Sequence, residues 1–174
     1  MSKSVFGIAT TLGQAERIID RLQSSGFAAS EISVLMPDQA GTGDFGHVKS
    51  TKASEGVTAG VTTGGVAGGT IGLLAGIGAL AIPGVGPFIA AGPIMAALSG
   101  AAIGATTGGI VGGLIGLGIP EIEAKRYEDK LRKGNYLVSV HTDSGDQTDR
   151  AKDIFKKEGA EDISTVSEAT APTK

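Results

Sequence analysis

The residue types best suited to metal or acid–base chemistry are rare in this chain of 174 residues. It contains two histidines, His47 and His141, and no cysteine. His141 ends a predicted strand, and a metal site there would need further ligands at a suitable spacing. No paired His or Cys spacing is present, so we expect both histidines to be ordinary surface residues. The sequence therefore predicts no metal and no cofactor.

Paired carboxylates are a second candidate for acid–base work. Glu121 and Glu123, followed by Glu128 and Asp129, lie in one predicted helix among lysines and arginines. Charge pairs four residues apart are common on the solvated face of a helix. We therefore expect ion pairing rather than catalysis, and the sequence predicts a protein that is not an enzyme.

Glycine-rich phosphate loops are a third possibility, since the chain has 29 glycines. No G-x-x-x-x-G-K-[ST] motif is present, and the glycine-rich stretch contains no lysine. A dinucleotide fingerprint would need a strand before it and an acidic residue after it, and neither is found. The net charge of -3 argues against a nucleic-acid partner, because such proteins concentrate basic residues on one face.

The glycines instead form two ladders inside an uncharged block, Val57 to Ile119, which holds no Asp, Glu, Lys, Arg or His. Glycines four residues apart form a smooth stripe along one side of a helix. The first glycine ladder comprises Gly60, Gly64, Gly68, Gly72 and Gly76, and the second comprises Gly100, Gly104, Gly108, Gly112 and Gly116. A chain reversal between the ladders is predicted at Pro83, Gly84, Gly86, Pro87 and Pro93.

These ladders predict helices over Val57–Ile82 and Ile94–Ile119, packed as an antiparallel glycine-zipper hairpin. Each arm would be about 39 Å long, against about 30 Å for the hydrocarbon core of a bilayer. The hairpin could therefore cross a membrane. It could instead pack with the hairpins of other copies in a shared dry core, or lie buried within its own chain. The expected partners are the protein itself and a lipid bilayer.

Charged segments on both sides of this block alternate strands with helices. The first unit reads SVFGIAT, then TLGQAERIIDRLQSSG, then EISVLMP, and Thr11 with Gln14 has the spacing of a helix capping box. After the helix PEIEAKRYEDKLRKG, the second unit reads YLVSVHT, then DQTDRAKDIFKKEG, then DISTVS. Two β-α-β units predict an α+β fold, a four-stranded antiparallel ferredoxin-like sheet with its helices on one face.

This organisation divides the chain into five ranges. Residues 1–37 form the first half of the sheet, 38–56 a linker, 57–119 the hairpin, 120–168 a helix with the second half, and 169–174 a tail. The first residues have no apolar core long enough for a secretory signal. We therefore expect a cytoplasmic location, either free or at the inner membrane with both termini in the cytoplasm.

The chain resembles the small bacterial general-stress proteins, which include heat-induced and low-temperature-induced members of unknown function. The stretch GIPEIEAKRYEDKLRKGNYLVSVHTD, from Gly118 to Asp143, carries this resemblance best, and FGIATTLGQAERIIDRLQSSGF is similar to the opening of such domains. The resemblance implies expression under stress and association with membranes or self-assembly, without a known reaction. A regulatory domain that binds a small ligand is the alternative, because ferredoxin-like sheets host that role as well.

Overall fold

A computed structural model describes residues 2–37, 78–82, 86–92 and 109–167. Within these ranges the strands are β1 (Lys3–Ala9), β2 (Ile32–Pro37), β3 (Gly78–Ile82), β4 (Gly86–Ala91), β5 (Tyr136–Thr142) and β6 (Glu161–Ser167). The α-helices are α1 (Leu12–Ser24), α2 (Gly109–Gly116), α3 (Glu121–Arg132) and α4 (Gly145–Lys157). The predicted α+β class is confirmed.

The two predicted β-α-β units are present as β1-α1-β2 and β5-α4-β6. They interleave, since β5 pairs antiparallel with both β1 and β2. The side of β1 away from β5 pairs antiparallel with β6. The four strands of the two units therefore lie in the order β2-β5-β1-β6.

The described sheet has six strands, so the predicted count of four is wrong. The two additional strands, β3 and β4, come from the block that was expected to be a helical hairpin, and residues 78–82 are strand rather than helix. The chain does reverse between Ile82 and Gly86, but as a β-hairpin whose second strand pairs with β2. Helix is disfavoured here because glycine and proline lower helix propensity, whereas β2 offers an open edge for pairing.

Of the helix predicted over Ile94–Ile119, the described part is α2, which ends at Gly116, and residues 94–108 lie outside the described ranges. Gly118 has a φ of 93°, and the N–H of Ile119 donates to the carbonyl of Leu114 at 3.1 Å. This is the left-handed helix ending that glycine favours, and it stops the helix before Pro120. Among the described residues, no helix combines the length and the apolar character needed to cross a membrane.

Helices cover both faces of the sheet, and the expectation of one covered face is wrong. On the first face α1 and α4 pack against alternate strand residues such as Val5, Val34 and Val138. On the second face α2 and α3 pack against the intervening residues, such as Phe6 and Leu137. Strand β1, which lies between β5 and β6, is buried from Val5 to Ala9 without a break, as expected for a strand between two helical layers.

Candidate functional site

An exposed apolar surface lies at the end of α2 and the start of α3. Ile110 and Leu114 of α2 are buried against the sheet. On the outside, Ile115 is 43% exposed and Ile122 of α3 is 76% exposed. These two are the exposed large apolar side chains of the described residues. We call Ile115, Gly116 and Ile122 the α2–α3 surface.

Gly116 gives this surface a bare stretch of backbone. A Cβ atom built at Gly116 would have no described heavy atom within 4 Å. Gly116 is exposed, and Gly112, one turn earlier, is partly exposed. Another chain or a lipid could therefore approach the backbone of α2 closely at Gly116.

The structure places only part of the predicted site. Gly112 and Gly116 lie in α2, and Gly86 and Pro87 begin β4. The remaining predicted residues lie outside the described ranges, namely Gly60, Gly64, Gly68, Gly72, Gly76, Gly100, Gly104, Gly108, Pro83, Gly84 and Pro93. The packing of one glycine ladder against the other therefore stays a prediction.

Helix α3 is anchored to the sheet by Tyr127, which is only 1% exposed. Its hydroxyl donates to the carbonyl of Asp162 at 2.7 Å and shares a second hydrogen bond of 2.7 Å with Ser164. The ring stacks on Phe6, with 6.4 Å between the ring centroids. Burial raises the pKa of Tyr127 to about 12, so the hydroxyl stays protonated above pH 10, where an exposed tyrosine ionises. Ile122, five residues earlier, lies on the outer face of the helix that this anchor holds.

His141 at the end of β5 pairs with a surface carboxylate. Nε2 of His141 lies 3.0 Å from Oδ1 of Asp143, and the hydroxyl of Ser2 donates to the same oxygen at 3.1 Å. The hydrogen bond from His141 lowers the pKa of the Asp143 carboxyl. Among the described residues, no cluster of three or more His, Cys, Asp or Glu could hold a metal ion.

The acidic residues of α3 form ion pairs, as the spacing predicted. Glu121 lies 2.6 Å from Lys125, and Glu128 lies 2.8 Å from Arg132. The hydrogen bond with Lys125 lowers the pKa of the Glu121 carboxyl. Glu121 is therefore held ionised on a solvated helix face, whereas a general acid would need a raised pKa.

A cleft of about 210 Å³ lies between α1 and α4. In its lining the Glu158 carboxylate lies 3.0 Å from Arg21, and the same carboxylate lies 3.3 Å from Arg17. Arg150, also in the lining, donates to the carbonyl of Ser25. The volume is below the roughly 300 Å³ at which small-molecule pockets begin. These ion pairs join α1 to α4 and leave little room for a ligand.

Glu16 is the one buried carboxyl in the described ranges. Its side chain lies in α1, the residue is 6% exposed, and Oε1 has no described hydrogen-bond partner. Burial raises the pKa of this carboxyl. One buried carboxyl by itself does not define a catalytic site.

Sequence reasoning missed Ile122 and the strand β3. Ile122 could have been found on a helical wheel, because it lies about 200° from Ala124, on the face opposite to the buried Tyr127 and Leu131. Comparison of the chain with protein-family models, with curated proteins and with solved structures gives no match. The function is therefore argued from the α2–α3 surface.

Proposed function

We propose that this chain is a non-enzymatic protein that associates with other copies of itself or with a membrane through its glycine-rich helical segment. The observation that carries the proposal is the α2–α3 surface: Ile115 and Ile122 are the exposed large apolar side chains of the described residues, and Gly116 leaves the backbone of α2 uncovered. Exposed large apolar side chains favour contact with protein or lipid over water. Gly116 is also the last glycine of the second ladder in the sequence.

The folded part acts as a platform in this proposal. The strand order β2-β5-β1-β6, with α1 and α4 on one face, supports a ferredoxin-like core to which β3, β4 and α2 are added. The resemblance of Gly118–Asp143 to general-stress proteins adds that the protein is made under stress and acts in the cytoplasm or at the inner membrane. It needs no cofactor for this role.

The choice between self-assembly and membrane binding is tested by flotation. The full chain, expressed without detergent, is placed under a density gradient together with liposomes, and every fraction is imaged by negative-stain microscopy. Protein that floats with lipid supports the membrane, and dense lipid-free particles of uniform size support self-assembly. A monomer that neither floats nor assembles would contradict the proposal.

Gly116→Leu tests whether the α2–α3 surface is responsible. The open space at Gly116 accepts the larger side chain without disturbing the fold, but the leucine blocks close approach to the backbone. We expect association to weaken by about tenfold, which corresponds to about 1.4 kcal/mol. Ile122→Asp, which places a charge on the same surface, should act in the same direction.

Gly145→Leu is the matched control. Gly145 begins α4, and a Cβ there also has no neighbour within 4 Å, so the control adds the same side chain at an equally open position. We expect it to associate like the unaltered chain. Equal flotation and equal particle mass in Gly116→Leu, Gly145→Leu and the unaltered chain would exclude the α2–α3 surface as the point of contact.

A further inference from the structure

The two edges of the six-stranded sheet differ in their protection against pairing with another strand. β6, at one edge, carries the acidic residues Glu161 and Asp162. Its register against β1 is interrupted by a bulge, and Asp162 has a φ of 48°. Charges and bulges are the devices by which proteins keep an edge strand from pairing with a second chain.

β3, at the other edge, has none of these devices. Its sequence, GALAI, contains no charged residue and no proline. Its register with β4 runs without a break from Gly78 opposite Ala90 to Ile82 opposite Gly86. Among the described residues, no strand pairs with the outer side of β3. An unbroken, uncharged edge is the kind of strand that readily accepts another strand.

The positions of two prolines identify which backbone groups of β3 point outwards. Pro87 lies opposite Ala81, and Pro37 lies opposite Phe88. Neither proline has an N–H, and hydrogen-bonded positions alternate along an antiparallel pair. If each proline occupies a non-hydrogen-bonded position, neither of them removes a hydrogen bond from its strand pair. The position assigned to Pro87 against β3 and the position assigned to Pro37 against β4 are consistent with each other, because hydrogen-bonded positions alternate along β4. The N–H and C=O groups of Ala79 and Ala81 then point away from β4.

We propose that β3 pairs antiparallel with β3 of a second copy, which joins two six-stranded sheets into one continuous sheet. A twofold axis at Leu80 places Ala79 opposite the partner's Ala81. The outward groups of these residues then form four hydrogen bonds between the two copies. The inference rests on the proposed self-association, and it adds a contact at a strand edge to the contact proposed for the glycine-rich helical segment.

Cysteine cross-linking tests this register directly, because the chain has no cysteine of its own. In the proposed pair, residue 80 of one copy faces residue 80 of the other at a non-hydrogen-bonded position, with about 4.5 Å between the two Cα atoms. That separation falls within the roughly 4.4–6.8 Å that a disulfide spans. We expect Leu80→Cys to form a covalent dimer under mild oxidation.

Three single-cysteine variants serve as controls for Leu80→Cys. In the proposed pair, residue 78 faces residue 82 of the partner. Residue 78 of one copy therefore lies about 14 Å from residue 78 of the other, and the two residues 82 are equally far apart. Gly78→Cys and Ile82→Cys should therefore cross-link poorly. Asp149→Cys, on the exposed side of α4, measures the rate of cross-linking by random collisions between chains. Cross-linking of Leu80→Cys no faster than Asp149→Cys would overturn the proposal.

Ala81→Pro provides a second readout that needs no covalent bond. The proline removes an outward N–H from each copy, and so two of the four proposed hydrogen bonds. Ala81→Val keeps the N–H and is the matched control. By sedimentation, we expect Ala81→Pro to weaken the dimer by roughly 10- to 100-fold relative to Ala81→Val. Equal dissociation constants for these two variants would also overturn the proposal.

The edge contact and the proposed function fail in distinguishable ways. If the unaltered chain is monomeric and does not float with lipid, both are wrong. If it associates, if Gly116→Leu weakens that association, and if Ala81→Pro and Leu80→Cys behave like their controls, only the pairing of β3 is wrong.

Discussion

Gly7 of β1 lies in close contact with the ring of Phe155. A Cβ built at Gly7 would lie 2.5 Å from Cδ1 and 2.9 Å from Cε1 of that ring. Phe155 is 0% exposed, so its ring cannot move towards solvent. The absence of a side chain at Gly7 is therefore what allows α4 to pack against β1.

Gly7→Ala should destabilise the protein by about 1–3 kcal/mol, because the added methyl group forces the buried ring out of its position. Urea unfolding followed by circular dichroism measures this difference. Gly13→Ala in α1 is the control, since the nearest atom to its Cβ lies at an ordinary 3.6 Å. If Gly7→Ala is as stable as Gly13→Ala, the packing of Phe155 on β1 is not as described.

Tyr127 couples stability to alkaline pH. Its folded pKa is raised to about 12, chiefly by burial, whereas an unfolded tyrosine titrates near 10. Between these values the unfolded state has lost the proton and the folded state has kept it. Stability contributed by the buried neutral hydroxyl is therefore complete below about pH 10 and is lost as the pH rises towards 12.

Tyr127→Phe should lose about 1–2 kcal/mol at pH 8, since the carbonyl of Asp162 and the hydroxyl of Ser164 lose a partner. It should also lack the extra fall in stability between pH 10 and 12. Urea midpoints measured from pH 8 to 12 for both proteins provide the comparison. Parallel pH curves would show that the hydroxyl is not protected by burial.

At the scale of elements, α1 and α4 begin with the same device. The hydroxyl of Thr11 accepts from the N–H of Gln14, and the hydroxyl of Ser144 accepts from the N–H of Gln147, each at 3.2 Å. Both glutamines then reach back to the backbone N–H of the residue before the cap. The Thr11–Gln14 spacing indicated the first of these caps from sequence alone.

Thr11→Ala and Ser144→Ala should each cost about 1 kcal/mol, because a donor in the first helical turn loses its partner. Thermal unfolding measures the loss. Ser144→Asp keeps an acceptor at the cap and should retain most of the stability. A full loss in Ser144→Asp as well would place the effect elsewhere than in the cap.

The elements that sequence reasoning predicted correctly are those with a regular apolar pattern. In α1, the buried residues Ala15, Ile18, Ile19 and Leu22 repeat at helical spacing, and in β2 the residues Ile32, Val34 and Met36 alternate. The residues of β3 have no such pattern, because small uncharged side chains suit a helix and a strand about equally. Whether these residues form a helix or a strand depends on the neighbouring strands, and a local sequence pattern contains no information about those.

At the scale of the whole molecule, the uncharged block supplies both surfaces available for association. α2, from the end of the block, covers the second face of the sheet and exposes Ile115 and Gly116. β3, from its middle, extends the sheet to an uncharged edge. These surfaces belong to different elements, so one copy could contact a partner through each of them.

The sequence by itself determined the two β-α-β units, the helix cap at Thr11, the ion pairs of α3 and the placement of all charge outside one block. Each of these depends on residues near one another in the chain, where periodicity and spacing carry the information. Only the tertiary structure decided that β3 and β4 join the sheet, that helices cover both of its faces, and that Ile122 is exposed. Those features depend on which strand edges and sheet faces remain uncovered after segments distant in the sequence have packed together. A local sequence pattern does not contain that information.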